Sequence, residues 1–517
     1  MIQVGYDKKR WFFMKWFNYV FAILSIVGFM FTPMTGDLKV FFSGANQAKF
    51  INKNLLIGAY QEWELKSVFA RTLTYAIYKL ITLFVPFSSY GFEIAANFIY
   101  IVLVIIAVWL SVRLFFGKID RESMLWKTAL VSTCFFTTHS WCHMQVEMSC
   151  TLLIMVAFSL YVNVIKNKDI GKWKLFIAGV LIGSTFFFKS VLILLSVSVV
   201  AAVCIWIIYN DYKFSLKRLF IVISGSVTIL VVNFLVILLI NPSEIQNMLD
   251  AAAFQKTVFS TTVSFGNVVM GFICEFLKKS CFTPVVRIGM LAFACNFLIS
   301  IRYKKWKLLL LHIVLWLMPS LFVLLSNKYF GYHFVVFIFP SIIEIAEMFY
   351  NKSKIKLAIA HIGIVYGVVT YLLYMSVFSD SFRGNVSMTR KAFQNRNEVV
   401  SQLNIEKSDM FLYLDDGNGS YLVGNESYIK YYYPLPLQRL NEDSTLECYT
   451  STLEKVMKYD GKYISVYEKW FFNGKNDKIK EKIEKEYEWI GSYEVFVPPY
   501  SFYGEFPTRV YDIYMRK

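Results

Sequence analysis

The sequence is poor in charged residues and lacks the patterns of several common classes of protein. Only 17% of its 517 residues are charged, whereas 56% are hydrophobic. Alternating apolar segments of about ten residues are absent, which excludes a transmembrane β-barrel. The eight cysteines have no zinc-ligand spacing, and no Ser/His/Asp set, glycine-rich phosphate loop or internal repeat is apparent. What remains is a series of long apolar runs, typical of a polytopic α-helical membrane protein.

The apolar runs predict about eleven membrane-spanning helices of about 20 residues each. Their approximate centres are Ala22, Val104, Val131, Met155, Gly183, Val200, Ile229, Leu291, Leu317, Phe339 and Val365. The first run follows Lys8, Lys9 and Arg10 and lacks a cleavage site, so it is predicted to be a signal anchor.

The distribution of basic residues predicts the orientation in the plasma membrane. The net charge is +17, and the excess lies mostly in short loops, so nucleic acid is not an expected partner. With the N-terminus in the cytoplasm, every proposed inner loop is basic, whereas the outer loops near His143, Lys189 and Lys328 hold at most one lysine each. An odd number of spans then places the C-terminal domain outside the cytoplasm.

Two domains are expected from this layout. Residues 1–378 form the transmembrane domain, with a large first outer loop at about residues 33–89. Residues 379–517 form an extracytoplasmic α/β domain, because the strand-like runs "MFLYLDD", "KYISVYE" and "YEVFVPP" alternate with the helical run "NDKIKEKIEKEYEWI". The turn "LDDGNG" is interpreted as the end of a strand rather than as a calcium loop.

The first outer loop is predicted to lie along the membrane interface. Its segment "ELKSVFARTLTYAIYKLITLF" has apolar residues at helical spacing, which places Lys66 and Arg71 toward the lipid head groups. Phe41 and Phe42 are expected to anchor the start of the loop at the same interface. A second long loop, residues 241–279, has a similar pattern.

Ionisable and aromatic side chains from distant parts of the chain are predicted to meet at the outer surface. They are Asp37, His139, His143, Glu147, Lys189, Arg287, Lys328, Tyr332 and His333. Ionisable groups at membrane depth are costly, which favours a functional site. Structural alternatives stay open: Asp37 could cap a helix, Glu147 could only balance His143, and Tyr332 and His333 could belong to an aromatic belt. The remaining acids and histidines of the spans are interpreted as structural: His312, Glu344, Glu347 and His361.

Four features together carry a resemblance to a known superfamily. They are "TGDLKVFFSGANQA" around Asp37, "WELKSVFARTL" after it, "HMQVEMS" around Glu147, and the extracytoplasmic tail. In this plan the chain resembles the GT-C superfamily of integral-membrane glycosyltransferases. Asp37 is followed by Leu38 rather than by a second acidic residue. This leaves open whether Asp37 acts alone or with Glu62, Glu64 or Glu147.

The resemblance implies transfer of a hexose or pentose from a polyprenyl-phosphate donor to a glycan, lipid or protein acceptor at the outer face of the membrane. A hydroxyl acceptor needs a base, which implies a catalytic role for Asp37, in an inverting reaction, and for Glu147. The leaving phosphate needs positive or hydrogen-bonding partners. Candidates for donor-phosphate or substrate binding are Lys189, Arg287, His333, Tyr332, His143, Arg71 and Lys66. No cofactor is certain, and a divalent cation is left open.

Two other functions are compatible with the sequence. One is an envelope polysaccharide polymerase or ligase that uses a lipid diphosphate oligosaccharide. The other is a polytopic transporter or flippase, which would place ionisable residues near the bilayer midplane in broken helices. The large first outer loop and the collection of charges at one face favour the glycosyltransferase.

Overall fold

The structure is a computed structural model that describes most of the chain. It describes residues 8–32, 34, 36–52, 54, 57–58, 68–138, 143–167, 171–189, 192–210, 212, 215–259, 265–279, 283–326, 330–350, 390–429, 434–496 and 508–517. These residues are mostly helical and include a small four-stranded sheet near the C-terminus.

The helices that precede the sheet contain most of the apolar runs. They are α1 (Lys8–Met30), α2 (Gly36–Ile51), α3 (Val68–Thr82), α4 (Tyr90–Phe116), α5 (Arg121–Phe136), α6 (Val146–Lys166), α7 (Lys172–Phe188), α8 (Ile193–Tyr209), α9 (Leu216–Ile240), α10 (Ser243–Phe259), α11 (Phe265–Lys279), α12 (Pro284–Arg302), α13 (Trp306–Ser326), a 3₁₀-helix (Gly331–Phe337) and α14 (Ile338–Tyr350). Residues 390–402 are also helical.

Within the described ranges, six helices are long and apolar enough to cross a membrane. They are Tyr90–Phe116, Val146–Lys166, Leu216–Ile240, Pro284–Arg302, Trp306–Leu325 and Gly331–Met348, with shorter apolar helices at Asn18–Met30 and Leu195–Tyr209. Ten of the predicted span centres lie in helices, and the eleventh, Val365, lies outside the described residues. The exact number of spans and their orientation stay predictions.

Large apolar side chains cover the outside of these helices. Phe220 and Leu239 of α9 are 65% and 84% exposed, and Leu298 of α12 is 65% exposed. Many exposed apolar side chains on long helices indicate a membrane or protein contact. Together with the length of the helices, they identify a multi-pass membrane protein.

The described residues pack into two compact units. The first unit draws on Met1–Phe31, Asn97–Val232 and Val263–Asp380. The second draws on Thr32–Ala96, Asn233–Thr262 and Ser381–Lys517, so the tail packs with parts of both long loops. The predicted domain boundary at residues 378 and 379 lies outside the described residues and stays a prediction.

In the first unit, glycines allow α7 and α9 to approach closely. A Cβ added at Gly179 would collide with the carbonyl oxygen of Val222, and one added at Gly225 would collide with the carbonyl oxygen of Phe176. Ser226 donates a hydrogen bond to the carbonyl oxygen of Gly179 at 2.8 Å. Small residues at helix contacts are a usual feature of membrane bundles, where close backbone packing replaces the hydrophobic effect.

The second unit contains the sheet and the elements around it. Its elements after residue 402 are β1 (Phe411–Leu414), α15 (Asn418–Val423), α16 (Leu435–Arg439), α17 (Glu447–Lys458), β2 (Tyr463–Val466), α18 (Glu468–Phe471), α19 (Asp477–Glu486), β3 (Tyr487–Phe496) and β4 (Thr508–Arg516). The strand order is β1-β2-β4-β3, with β1 and β2 parallel and the other pairs antiparallel. Phe254 of α10 is buried in the core of this sheet domain.

The predicted strands at residues 410–416 and 462–468 are confirmed as β1 and β2. The predicted helix at 476–490 is too long, because the chain becomes extended at Tyr487, where β3 begins and pairs with Arg516 of β4. Strand β4 was not predicted, although its alternation of buried Tyr511 and Ile513 with more exposed residues is a recognisable signal.

The predicted interfacial helix forms as α3, but the expected orientation of Arg71 is wrong. The Arg71 side chain is completely buried and pairs with Glu244 of α10. Phe41 and Phe42 are buried in the second unit rather than placed at an interface, and Phe42 packs edge-on against Phe92. Both errors arise because parts of the two loops and the tail form a single core, which a helical pattern within one loop does not reveal. Lys66, Glu62 and Glu64 lie outside the described residues.

Candidate functional site

Glu147 and Lys189 form an ion pair in the first unit. Glu147 lies in the first turn of α6, and Lys189 is the C-terminal cap of α7. Each charge therefore lies at the helix end whose dipole stabilises it, a carboxylate at an N-terminus and an ammonium at a C-terminus. Lys189 Nζ is 2.9 Å from Glu147 Oε1. The partner of Glu147 is thus Lys189, and the alternative in which Glu147 only balances His143 is wrong.

His333, in the 3₁₀-helix, completes the cluster. Its Nε2 lies 3.4 Å from Lys189 Nζ and 3.7 Å from Glu147 Oε1. Because an ammonium only donates hydrogen bonds, the contact with Lys189 is a hydrogen bond in the tautomer of His333 that carries its proton on Nδ1. The side chains of Glu147 and His333 are buried, whereas that of Lys189 is 35% exposed.

Among the residues that the structure describes, Lys189 has donor capacity beyond its two partners. An ammonium carries three donors, and the hydrogen bonds to Glu147 and His333 use two of them. The Phe322 ring lies 5.4 Å from Lys189 Nζ, so part of the surroundings is apolar. A fixed cation with a free donor in apolar surroundings can bind an anionic oxygen strongly, because it needs little reorganisation.

His143 is held in a packing role near the start of α6. Its ring stacks on Phe29 with centroids 3.9 Å apart, and Nε2 lies 2.8 Å from the carbonyl oxygen of Thr138. The carbonyl can only accept, so the proton is on Nε2. Burial lowers the pKa of His143 to about 3, although the hydrogen bond to Thr138 opposes this. The imidazole is neutral near pH 7, so it adds no positive charge for a phosphate.

Two other candidates of the first unit, Tyr332 and Arg287, have different surroundings. The Tyr332 ring stands edge-on to His333 with centroids 4.7 Å apart, and it stacks on Phe330. Arg287 lies in the first turn of α12 and donates to the carbonyl oxygen of Leu277 at 3.3 Å. The substrate-binding roles of Tyr332 and Arg287 stay predictions. His139 and Lys328 lie outside the described residues.

Asp37 belongs to the second unit and lies in the first turn of α2, which begins at Gly36. A carboxylate in the first turn of a helix is stabilised by the helix dipole. Its backbone position is compatible both with the predicted base and with the helix-capping alternative, and its catalytic role stays a prediction. Glu93 of α4, which the sequence reasoning missed, binds the chain on both sides of Asp37. The sequence did contain a signal for Glu93, because it is a single acidic residue at the start of an apolar run.

A second buried cluster lies in the first unit, among residues interpreted as structural. His312 Nδ1 is 2.8 Å from Glu344 Oε1, and Asn296 donates to Glu344 Oε2 at 2.8 Å. All three side chains are almost completely buried. They cross-link α12, α13 and α14, as expected for polar residues between membrane helices. Glu347 lies in α14, and His361 lies outside the described residues.

The segment "LDDGNG" is a turn that follows β1. Asp415 Oδ1 accepts hydrogen bonds from the amides of Gly417 and Gly419, and Asp416 pairs with Arg509. These carboxylates are thus used within the fold, as the turn interpretation expects. Among the residues that the structure describes, no group of three or more His, Cys, Asp or Glu side chains could hold a metal ion. A requirement for a divalent cation stays untested.

Neither a protein-family model nor a curated protein matches this chain in sequence. Its fold is similar to apo-state ArnT from Cupriavidus metallidurans, with a TM-score of 0.50, 11% identity and 98% of each chain covered. ArnT bound to undecaprenyl phosphate gives 0.45 at 10% identity, over 97% of this chain and 98% of that one. The Archaeoglobus fulgidus oligosaccharyltransferase, tethered to an acceptor peptide with the NVT sequon, has a TM-score of 0.44 and 13% identity. The match covers 98% of this chain and 74% of that one.

The similarity to apo-state ArnT extends over nearly the whole of both chains. An identity of 11% supports a conclusion about the fold and none about the substrate. The similarities to the other two structures are weaker, and no argument rests on them. ArnT is a GT-C glycosyltransferase. The resemblance inferred from the sequence is therefore confirmed at the level of architecture: this chain has the same fold as apo-state ArnT.

Proposed function

We propose that this protein is a glycosyltransferase that moves a sugar from a polyprenyl-phosphate donor to a hydroxyl acceptor. The observation that carries the proposal is the partly exposed Lys189 ammonium, held by buried Glu147 and His333 where α6 begins and α7 ends. A cation in this setting suits a lipid whose phosphate lies at the membrane surface. The resemblance of the sequence to GT-C glycosyltransferases also implies such a donor.

Lys189 would bind the phosphate that leaves the sugar. In the transfer, the acceptor oxygen attacks the anomeric carbon, and the bond from that carbon to the phosphate oxygen breaks through an oxocarbenium-like transition state. The electron pair of the broken bond stays on the lipid phosphate. The phosphate gains negative charge as it leaves, so a fixed ammonium stabilises the transition state more than the bound donor. His333 and Glu147 would hold Lys189 in place.

Asp37 would act as the general base. The attacking hydroxyl must lose its proton as the new bond forms, and a carboxylate can accept it. Attack opposite to the leaving phosphate inverts the configuration at the anomeric carbon. The proposal retains the predicted orientation, in which the N-terminus is cytoplasmic and transfer takes place at the outer face of the plasma membrane. The acceptor is a glycan, a lipid or a protein.

The proposal can be tested with the purified protein. The assay measures transfer of labelled sugar from radiolabelled polyprenyl-phosphate hexoses and pentoses to added acceptors. Asp37→Asn should lower kcat by about 10²- to 10⁴-fold, the usual contribution of a general base, and leave the KM for the donor nearly unchanged. Asp120→Asn is the matched control, because Asp120 caps α5 through its hydrogen bond from the Ser123 amide. Asparagine caps a helix as well as aspartate, so this control should keep full activity.

The outcomes separate the alternatives. If Asp37→Asn is fully active, Asp37 has only a structural role, and Glu147, Glu62 and Glu64 become the candidates for the base. If no label leaves any monophosphate donor but lipid diphosphate oligosaccharides react, the protein is a polymerase or ligase. If the labelled lipid changes leaflets in vesicles without losing its sugar, the protein is a transporter.

A further inference from the structure

The first turn of α2 is held from both sides by one carboxylate of the second unit. The backbone amide of Met34, just before α2, donates to Glu93 Oε2 at 3.0 Å. Lys39, at the end of the first turn of α2, places Nζ 3.8 Å from Glu93 Oε1. Asp37 lies between these two attachment points in sequence, three residues after Met34 and two before Lys39.

All three attached groups are buried. Met34 and Glu93 are each 1% exposed, and Lys39 is 4% exposed. Burial lowers the pKa of Lys39, and the nearby charge of Arg509 lowers it further, whereas the charge of Glu93 opposes both effects. A buried ion pair adds little stability over an apolar pair of similar volume, because desolvation of both charges offsets their attraction. The pair does fix the position of the first turn of α2, since Glu93 must contact the Met34 amide and the Lys39 ammonium at the same time.

The rest of α2 is attached to the tail by a separate set of hydrogen bonds. Ser43 Oγ lies 2.7 Å from Ser420 Oγ, and Asn46 donates to the carbonyl oxygen of Gly424 at 2.8 Å. Gln47 donates to the carbonyl oxygen of Asn425 and accepts from the amide of Ser427. The helix would therefore stay docked without Glu93, and only its first turn would lose a constraint.

We propose that Glu93 and Lys39 are positioning residues that hold the first turn of α2 so that Asp37 is correctly placed as a base. The inference rests on the proposed role of Asp37. Loss of the constraint would let the first turn of α2 fray while the second and later turns remain helical. A displacement of about 1 Å in a catalytic group can reduce a rate about 10²-fold, so the effect on kcat would be large although the fold is kept.

The double variant Lys39→Met with Glu93→Gln tests this inference. It breaks the ion pair between Lys39 and Glu93 and leaves no unpaired buried ion, so the protein stays folded; the glutamine oxygen can still accept from the Met34 amide, so the variant tests the attachment at Lys39. We expect kcat to fall about 10- to 100-fold, with an unchanged KM for the donor and an unchanged pH midpoint of kcat, because Asp37 is still the base. The matched control is Ser43→Ala with Ser420→Ala, farther along the same helix, which should keep the wild-type kcat.

Hydrogen exchange of the full-length protein gives a readout that does not depend on activity. In the Lys39→Met/Glu93→Gln variant, the amides of residues 34–38 should exchange faster, and those of residues 43–47 should keep wild-type protection. The Ser43→Ala/Ser420→Ala control should show the reverse pattern. Equal exchange at residues 34–38 in the wild type and the first variant would overturn the inference.

Activity of the variants separates this inference from the proposed function. If Asp37→Asn is inactive and the Lys39→Met/Glu93→Gln variant has the wild-type kcat, positioning by this pair is refuted and the base remains. If Asp37→Asn is fully active, the proposed base fails, and positioning of Asp37 for catalysis fails with it. If the pH dependence of kcat disappears in the Lys39→Met/Glu93→Gln variant, Glu93 is itself the base, and the positioning role is refuted.

Discussion

Replacement of Lys189 by methionine should weaken binding of the donor phosphate. Methionine keeps most of the length of the side chain and removes the ammonium, which lies 2.9 Å from Glu147 and 3.4 Å from His333. A hydrogen bond between charged groups contributes about 1.5–3 kcal/mol. Since 1.36 kcal/mol corresponds to a factor of ten, we expect the donor to bind about 10- to 150-fold more weakly.

The single variant also leaves Glu147 buried without its cation, because the Glu147 side chain is only 3% exposed. Removal of one partner from a buried ion pair is strongly destabilising, so loss of binding could arise from poor folding. The double variant Lys189→Met with Glu147→Gln avoids this problem, because it removes both charges of the ion pair. It should unfold at nearly the wild-type temperature and still bind the donor about 10- to 150-fold more weakly.

The assay is equilibrium binding of a labelled polyprenyl-phosphate sugar to the purified protein in detergent. Lys166→Met is the matched control, because Lys166 also lies at a helix C-terminus and donates to the carbonyl oxygen of Phe115. That control should bind the donor normally. Unchanged donor affinity in the double variant would refute the phosphate-binding role of Lys189 and leave it a purely structural partner of Glu147.

Two further predictions concern the two units separately. Gly179→Ala should destabilise the first unit by about 1–3 kcal/mol, because the added Cβ meets the Val222 backbone of α9. Gly266→Ala is the control for thermal unfolding, because a Cβ there meets no described atom within 4 Å. In the second unit, burial raises the pKa of Asp415 to about 7, although hydrogen bonds from Gly417, Ser465 and Gly419 oppose this. The folded state therefore holds the proton more tightly than the unfolded state, and the stability that Asp415 contributes is lost as the pH rises from about 4 to about 7. Asp415→Asn should flatten this dependence in thermal unfolding across that range, and an unchanged profile would contradict the assignment.

The sequence by itself determined where the helices lie and that they belong in a membrane. Hydropathy and periodicity are properties of neighbouring residues, so ten of the span centres, the helix α3 and the strands β1 and β2 could be located without any knowledge of packing. The residues Glu147, Lys189 and His333 were also found, because ionisable groups beside apolar runs are rare.

Only the tertiary structure decided which of these residues are partners. Glu147 and Lys189 are 42 residues apart, and Arg71 and Glu244 are 173 apart, so each pairing depends on how helices pack rather than on local pattern. The same reason explains why Arg71 was expected at the head groups. In contrast, β4 and Glu93 had local signals in the sequence that were overlooked. Desolvation makes an unpaired buried charge costly. The fold avoids unpaired buried charges by pairing residues that are distant along the chain.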